Sequence, residues 1–359
     1  MKLETAFMRF IGNVIEKLQR HPKRVVFPEG EEPRILQAAR QFHALRLGAP
    51  IVLGDPEKIR AVADELKITL DGIRVINPAT SEDLENFANR LYRVRREKGL
   101  RPAEARDAML QPNFYGALML AMHQADGLVS GASHITGSVL RPLFQVVKAA
   151  PDIAAVSSCM VMEVEDTRIG EKGVLFMADC GVIPDPTVDQ LTDIAVSTAR
   201  LARHLLGMRP RVAMLSFSTK GSASHPSVGK MQAATAQARR KADLLNIEAD
   251  FDGELQVDAA LVPEIAQRKL SLSDSKVAGR ANVLIFPDLN SGNIASKLVG
   301  LVSRASSYGQ ILLGLNRPAA DVSRGSNAHD ILGVAAIVAV QATDYLKLYP
   351  GADKHLPGE

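Results

Sequence analysis

The chain has 359 residues, more than one hydrophobic core usually serves, so two domains are expected. Apolar residues make up 46% and charged residues 23%, the balance of an ordinary globular protein. The net charge of +3 is small and its basic residues are spread out. Aromatic content is 4% with no tryptophan, so nucleic acid is not the expected partner.

At the start, Glu4, Arg9 and Glu16 interrupt any apolar core of a signal peptide. Phe7, Phe10, Ile11, Val14, Ile15 and Leu18 recur at helical spacing instead. No apolar run approaches the ~20 residues that span a bilayer, so no membrane partner is expected. Cys159 and Cys180 form neither a CxxC pair nor an extracellular framework, which fits a reduced, cytoplasmic protein.

From "RVVFPEG" onward, short β-branched runs alternate with amphipathic helices: "EPRILQAARQFHAL", "APIVLGD", "PEKIRAVADEL", "GIRVINP". This rhythm predicts a parallel, doubly wound sheet with its functional loops at strand C-termini, near the switch point. A helical stretch through "EDLENFANRLYRVRREKG" is followed by the strand, loop and helix of "ADGLVSGASHITGSVLRPLFQVVKAA". "AAVSSCMVMEVED" and "GVLFMADCGV", joined by "TRIGEKG", predict a hairpin. Further α/β units follow around "VAMLSFS", "ADFDGELQ" and "ANVLIFPDLN". A composition change near Pro151 marks a domain boundary. The expected domains are residues 1–151 with 308–359, the strand "GQILLGL" and the last helix returning to the first domain, and residues 152–307.

Candidate chemistry gathers in loops. In "NRPAADVSRGSNAHDI", Asn316-Arg317-Pro318 ends a strand and Ser323-Arg324-Gly325 makes a loop. Asn327 is a good N-cap, and Asp330 sits at the N3 place of a capping box. Capping accounts for Asp330 but not for Arg324, because a cation at a helix N-terminus opposes the dipole unless an anion lies between them. "SGASHITGSVLRP" offers exposed N–H and hydroxyl groups, Thr136 among them, with Arg141 about one turn into the next helix. Such loops cradle phosphate, though tight turns favour the same residues. Arg93, Arg95, Arg96 and Lys98 end a helix, either complementing its dipole or meeting an anionic tail.

Other motifs fail their tests. In "FSTKGSASHPSVGK", Ser224 stands where a Walker A motif needs its first glycine, and Met231 follows Lys230 in place of Ser or Thr. No G-x-G-x-x-G is present. Asp252, Glu254 and Asp258 match no metal-ligand spacing, and the histidines, His134, His225 and His329 included, form no cluster, so no metal is expected.

Taken together, "LYRVRREKG", "SGASHITGSVLRP", "FMADCGVIPDPTVDQL", "VAMLSFST", "DGELQVDAAL", "ANVLIFPDLNSGNIASK" and "GLNRPAADVSRGSNAHDI" resemble the phosphate acetyltransferases, close kin of the phosphate butyryltransferases, over essentially the whole chain. The resemblance implies two doubly wound α/β domains with an active-site cleft between them, an architecture like the isocitrate and isopropylmalate dehydrogenases. It implies reversible acetyl transfer between acetyl phosphate and coenzyme A, with small-molecule substrates only, no tightly bound cofactor, no metal and a homodimer. Under it Asp330 is the base for the coenzyme A thiol, Arg324 binds the phosphoryl end of acetyl phosphate, and Ser323 stabilises developing charge. Arg95 aligns best with a coenzyme A contact, Arg93 and Arg96 being close alternatives. Arg141 matches a second substrate arginine, and Thr136 belongs to the loop before it.

The sequence departs from the pattern at Ser326, where many relatives carry cysteine, and in "STKGSASHPSVGK". Three other readings stay open: a butyryl-specific enzyme, a non-catalytic sensor of acetyl coenzyme A, and an isopropylmalate-type dehydrogenase. The last requires metal ligands and a nicotinamide site that the sequence does not offer.

Overall fold

The structure, a computed structural model, describes residues 9–151, 153–270 and 275–352. Phe7 lies outside them. The described chain divides into two compact units: residues 11–151 with 315–352, and residues 9–10 with 153–314.

Helix α1 (Arg9–Gln19) leads into the first unit, and its Phe10, which counts with the second unit, and its Ile11, Val14 and Leu18 are buried as the helical spacing requires. Then come β1 (Lys23–Phe27), α2 (Pro33–Ala44), β2 (Gly48–Leu53), α3 (Pro56–Glu65) and β3 (Arg74–Ile76). Pro33 and Pro56 start their helices behind the capping acids Glu32 and Asp55, whose carboxylates accept the first free N–H groups. The unit continues with α4 (Leu84–Arg95), α5 (Pro102–Met109), α6 (Pro112–Ala121), β4 (Gly127–Ser130) and α7 (Thr136–Pro142). Helices α5 and α6 were not expected. In α6 nearly every residue from Asn113 to Ala121 is buried, so it shows no amphipathic period.

The second unit holds β5 (Ser157–Glu163), β6 (Val174–Ala178), α8 (Val188–Leu206), β7 (Arg211–Leu215), α9 (Pro226–Leu244), β8 (Asp250–Leu255), α10 (Val257–Leu261), α11 (Pro263–Lys269), β9 (Val283–Ile285), α12 (Leu289–Ser303) and β10 (Ser306–Leu313). The expected hairpin is β5–β6, antiparallel, with Cys159 opposite Ala178. Strand order is β10-β5-β6-β9-β7-β8. Because residues 309–313 of "GQILLGL" belong to β10, which pairs antiparallel with β5, this unit runs on to Gly314, past position 307 where the sequence suggested a return.

The chain re-enters the first unit with β11 (Ala319–Asp321), α13 (Ala328–Thr343) and α14 (Tyr345–Leu348). Strand order there is β3-β2-β1-β4-β11, and every pair is parallel. Helix α13 is buried without a break from Ile331 to Gln341 and packs on β1, β4 and α2. It comes so close to β4 that a Cβ on Gly127 would lie 2.5 Å from Val338 Cγ1.

Candidate active site

In the order 3-2-1-4-11, the chain runs outward from β1 through β2 to β3, then returns to the other side of β1 as β4. Loops leaving β1 and β4 therefore diverge, and their C-terminal ends form the crevice where open parallel sheets bind ligands. Three segments emerge at this edge: Pro28-Glu29-Gly30 after β1, Gly131–Ile135 after β4, and Val322–Asn327 after β11. Ser130 and Asp321 are register partners, so the two predicted substrate loops start side by side.

Glu29 builds the first of these loops. Its buried carboxylate accepts hydrogen bonds from the N–H groups of Gly131, Ala132, Ser133 and His134 at 2.8–3.0 Å, from Ser133 Oγ at 2.7 Å and from His134 Nδ1 at 2.7 Å. Burial alone would raise its pKa, but the bonds from His134, Ser133 and Ala132 outweigh it and hold Glu29 below its usual range. The N–H groups that the sequence offered as a phosphate cradle are in large part turned toward this acid.

Gly131 makes the turn possible. Its φ of +115° disfavours other residues, and a Cβ there would sit 2.3 Å from Asp321 Oδ1 and 2.4 Å from the Val322 carbonyl.

Beyond β11, Ser323 and Arg324 are exposed, and Asp330 is half-buried in the first turn of α13. Ser323 Oγ accepts the Gly325 N–H at 3.2 Å, and Ser326 N–H donates to the Ser323 carbonyl at 2.9 Å, which folds the Ser-Arg-Gly segment into a turn. Asn327 caps α13 by accepting the Asp330 N–H at 2.8 Å. The cap thus uses the Asp330 backbone and the Asn327 side chain.

Arg34, two residues after the Glu32 cap of α2, joins both loops. Its Nη1 donates to the carbonyls of Arg324 (2.7 Å) and Ser326 (2.8 Å), and its Nη2 to the carbonyl of Ala132 (2.8 Å). Its Nε donates to Glu32 at 2.9 Å.

Asp321 lies beneath this junction. It is 4% exposed, Thr136 hydrogen-bonds to it, and among the described residues its Oδ1 has no partner. Burial, opposed by the Thr136 bond and reinforced by the negative Glu29, pushes its pKa up to about 6.

The edge therefore gathers Thr136, Ser323, Arg324 and Asp330. Arg141 lies in the last turn of α7 and is exposed, whereas Arg95 ends α4, a separate element of the same unit, and is half-buried. Sequence reasoning missed Glu29, Arg34 and Asp321. Their signals were an acid directly after a strand, a cation placed against the dipole of α2, and an acid at the last residue of β11.

The acids of the second unit take separate partners. Asp252 meets Lys220, Arg239 and Ser275, Glu254 accepts from Ser218 and the Gly221 N–H, and Asp258 pairs with Lys269. His225 caps α9 through Ser227. Cys159 and Cys180 are both free thiols and both buried.

A family model described as "Phosphate acetyl/butaryl transferase" matches residues 9–339. The chain is 45% identical to the phosphate acetyltransferase of Thermoanaerobacterium thermosaccharolyticum, an alignment covering 93% of this chain and 100% of that one. Among solved structures, a phosphotransacetylase from Streptococcus pyogenes is 38% identical with a TM-score of 0.84, over 93% of this chain and 98% of the other. The EutD phosphotransacetylase from Staphylococcus aureus is 37% identical with a TM-score of 0.82, over 92% and 99%. With loops, fold and length all in agreement, the chain belongs to the phosphate acetyl/butyryl transferase family of acyltransferases.

Proposed function

We propose that this chain is a phosphate acetyltransferase, which moves an acetyl group reversibly between acetyl phosphate and coenzyme A. The observation that carries this reading is the convergence of Ser323, Arg324, Asp330 and Thr136 at the C-terminal edge of β4 and β11, in a chain matched by phosphate acetyltransferases over nearly its full length.

In the proposed step the coenzyme A sulfur attacks the acetyl carbonyl. The new C–S bond forms, the C–O bond to phosphate breaks, phosphate leaves with the electron pair, and the thiol proton passes to Asp330. An alkyl thiol near ~8.5 and an aspartate near ~3.9 differ by ~4.6 units, so full prior transfer is about 6 kcal/mol uphill. Proton removal coupled to attack avoids that intermediate. Arg324 neutralises the phosphoryl group and its departing charge, and Ser323 donates to the developing oxyanion. Thr136 and Arg141 hold substrate, and Arg95 holds the anionic part of coenzyme A. Coenzyme A is a substrate here, and the step uses no resident cofactor and no metal.

The exposed apolar face of α12, with Ile294, Leu298, Leu301 and Val302, supports a homodimer formed through that helix. Two unpaired, buried thiols fit a reducing cytoplasm, and among the described residues no helix is long and apolar enough to cross a membrane. The two compact units serve as the two domains.

The test follows thioester formation at its ultraviolet absorbance with coenzyme A and acetyl, propionyl or butyryl phosphate. Turnover with acetyl phosphate is expected, with Asp330→Asn lowering kcat by roughly 10²–10⁴-fold. Near-full turnover by the variant would remove Asp330 from the mechanism. A preference for butyryl phosphate would reassign the substrate.

A further inference from the structure

We infer that Arg34 is a positioning residue for acyl transfer, because its guanidinium holds the Ser323–Ser326 turn and the Gly131–Thr136 loop at one fixed spacing. The inference rests on the functional reading above, since it concerns how those two loops meet the same substrate.

Three backbone carbonyls from two loops point at one side chain: Arg324 at 2.7 Å, Ser326 at 2.8 Å and Ala132 at 2.8 Å. These partners lie 290, 292 and 98 residues away in the chain, so the contact brings together segments that no local turn connects. Fixing the Arg324 carbonyl fixes the peptide plane that follows it, and with it the direction in which the Arg324 side chain leaves the backbone. Fixing the Ala132 carbonyl does the same for the loop that leads into Thr136. Arg34 thus acts on the groups that handle phosphate without itself being placed on the substrate.

Its own position fits this role better than a helix-stabilising one. Arg34 is the second residue of α2, where a positive charge opposes the helix dipole. The Glu32 carboxylate, 2.9 Å from Nε, and the three carbonyl oxygens supply the negative surroundings that offset it. Only a planar fork reaches carbonyls on two sides at once. A lysine ammonium, a single point donor on a flexible stem, cannot span both loops.

Arg34→Ala leaves the carbonyls without their shared donor and lets the loops drift relative to one another. Misplacement of about 1 Å costs on the order of 10²-fold in rate. Wild type, Arg34→Ala and Arg34→Lys would be compared in the acetyl phosphate assay, with and without added guanidinium chloride at sub-denaturing concentration. For Arg34→Ala we expect kcat to fall on the order of 10²-fold, the KM for coenzyme A to change far less, and added guanidinium to restore part of kcat. Arg34→Lys should remain slow. In parallel, amide exchange should quicken in both loops of the alanine variant and not elsewhere.

If Arg34→Ala keeps kcat within about twofold, or loses activity only in proportion to unfolded protein with no response to guanidinium, the positioning role is overturned. An inactive wild-type chain instead overturns the functional reading, and this role with it.

Discussion

Two buried carboxyls, Glu29 and Asp321, lie under the same loop and should answer pH in opposite directions. For Asp321 the folded value is about 6 against 3.8 for the free side chain. Between those values the folded chain keeps a proton that the unfolded chain has released, so stability falls as pH rises through that window. The penalty is about 3 kcal/mol once pH exceeds the upper value. Asp321→Asn mimics the protonated acid and removes it. Urea denaturation should therefore show the variant gaining little at about pH 4 and about 3 kcal/mol by about pH 7. An equal gain at every pH would mean that the effect is packing and not charge.

Glu29 has the reverse sign. Its hydrogen bonds to His134, Ser133 and Ala132 hold its folded value below 4.5 despite burial, so its contribution is present above that pH and fades as pH falls beneath it. Glu29→Gln sets an amide N–H₂ against inward-pointing donors. At neutral pH it should cost about 3 kcal/mol, shrinking in acid, as thermal melts at several pH values would reveal.

At this scale the sequence was legible where a residue works through its neighbours. Asn327 took the expected N-cap place, and Ser323 lay in the expected turn. Glu29 and Arg34 were illegible for the opposite reason. Their partners are about a hundred residues away or more, and spacing along the chain carries no trace of them.

Among the elements, the short strand β11 has the largest effect for its size. "AAD" is three residues of small or acidic character, too short to show a period of two, and the sequence suggested only that a strand ended at Pro318. Yet pairing Ala319 with Leu128 and Asp321 with Ser130 brings the Ser-Arg-Gly turn beside the other loop. Helix α6 was hidden because it is buried nearly all round, whereas α2, α3 and α4 declared themselves by their one-sided faces.

Gly131→Ala tests the tightness of the β4–β11 junction. With φ at +115° and Asp321 Oδ1 at 2.3 Å from the new Cβ, the loop must shift. A loss of at least about 2 kcal/mol is expected, with a rise in acetyl phosphate KM, both measurable on purified variant. Asn327→Ala is a gentler probe of α13. Losing the bond to the Asp330 N–H should cost about 1 kcal/mol in chemical denaturation, while Asn327→Asp should restore most of it.

For the molecule as a whole, the alternation of strand and helix was enough to predict doubly wound sheets, and the first unit is fully parallel as that rhythm requires. The chain's second crossing was less legible. β10 looks like any buried strand from its composition, and only its antiparallel register with β5 reveals which unit it joins. The apolar face of α12 carries a prediction at this scale. Ile294, Leu298, Leu301 and Val302 are 58–81% exposed. Leu298→Asp combined with Leu301→Asp should convert a dimer to monomer in sedimentation. A wild-type monomer at micromolar concentration would refute the assignment of that face.

The burial of Cys159 and Cys180 has a consequence for an enzyme that handles a thiol all day. Burial pushes the pKa of both sulfhydryls well above the ordinary thiol range, so neither offers a thiolate to compete with coenzyme A for the acetyl group. Nor is either open to capture by oxidised coenzyme A as a mixed disulfide. A thiol-reactive dye can then sit in the cuvette and count coenzyme A as it is released, with the folded protein silent until it is denatured.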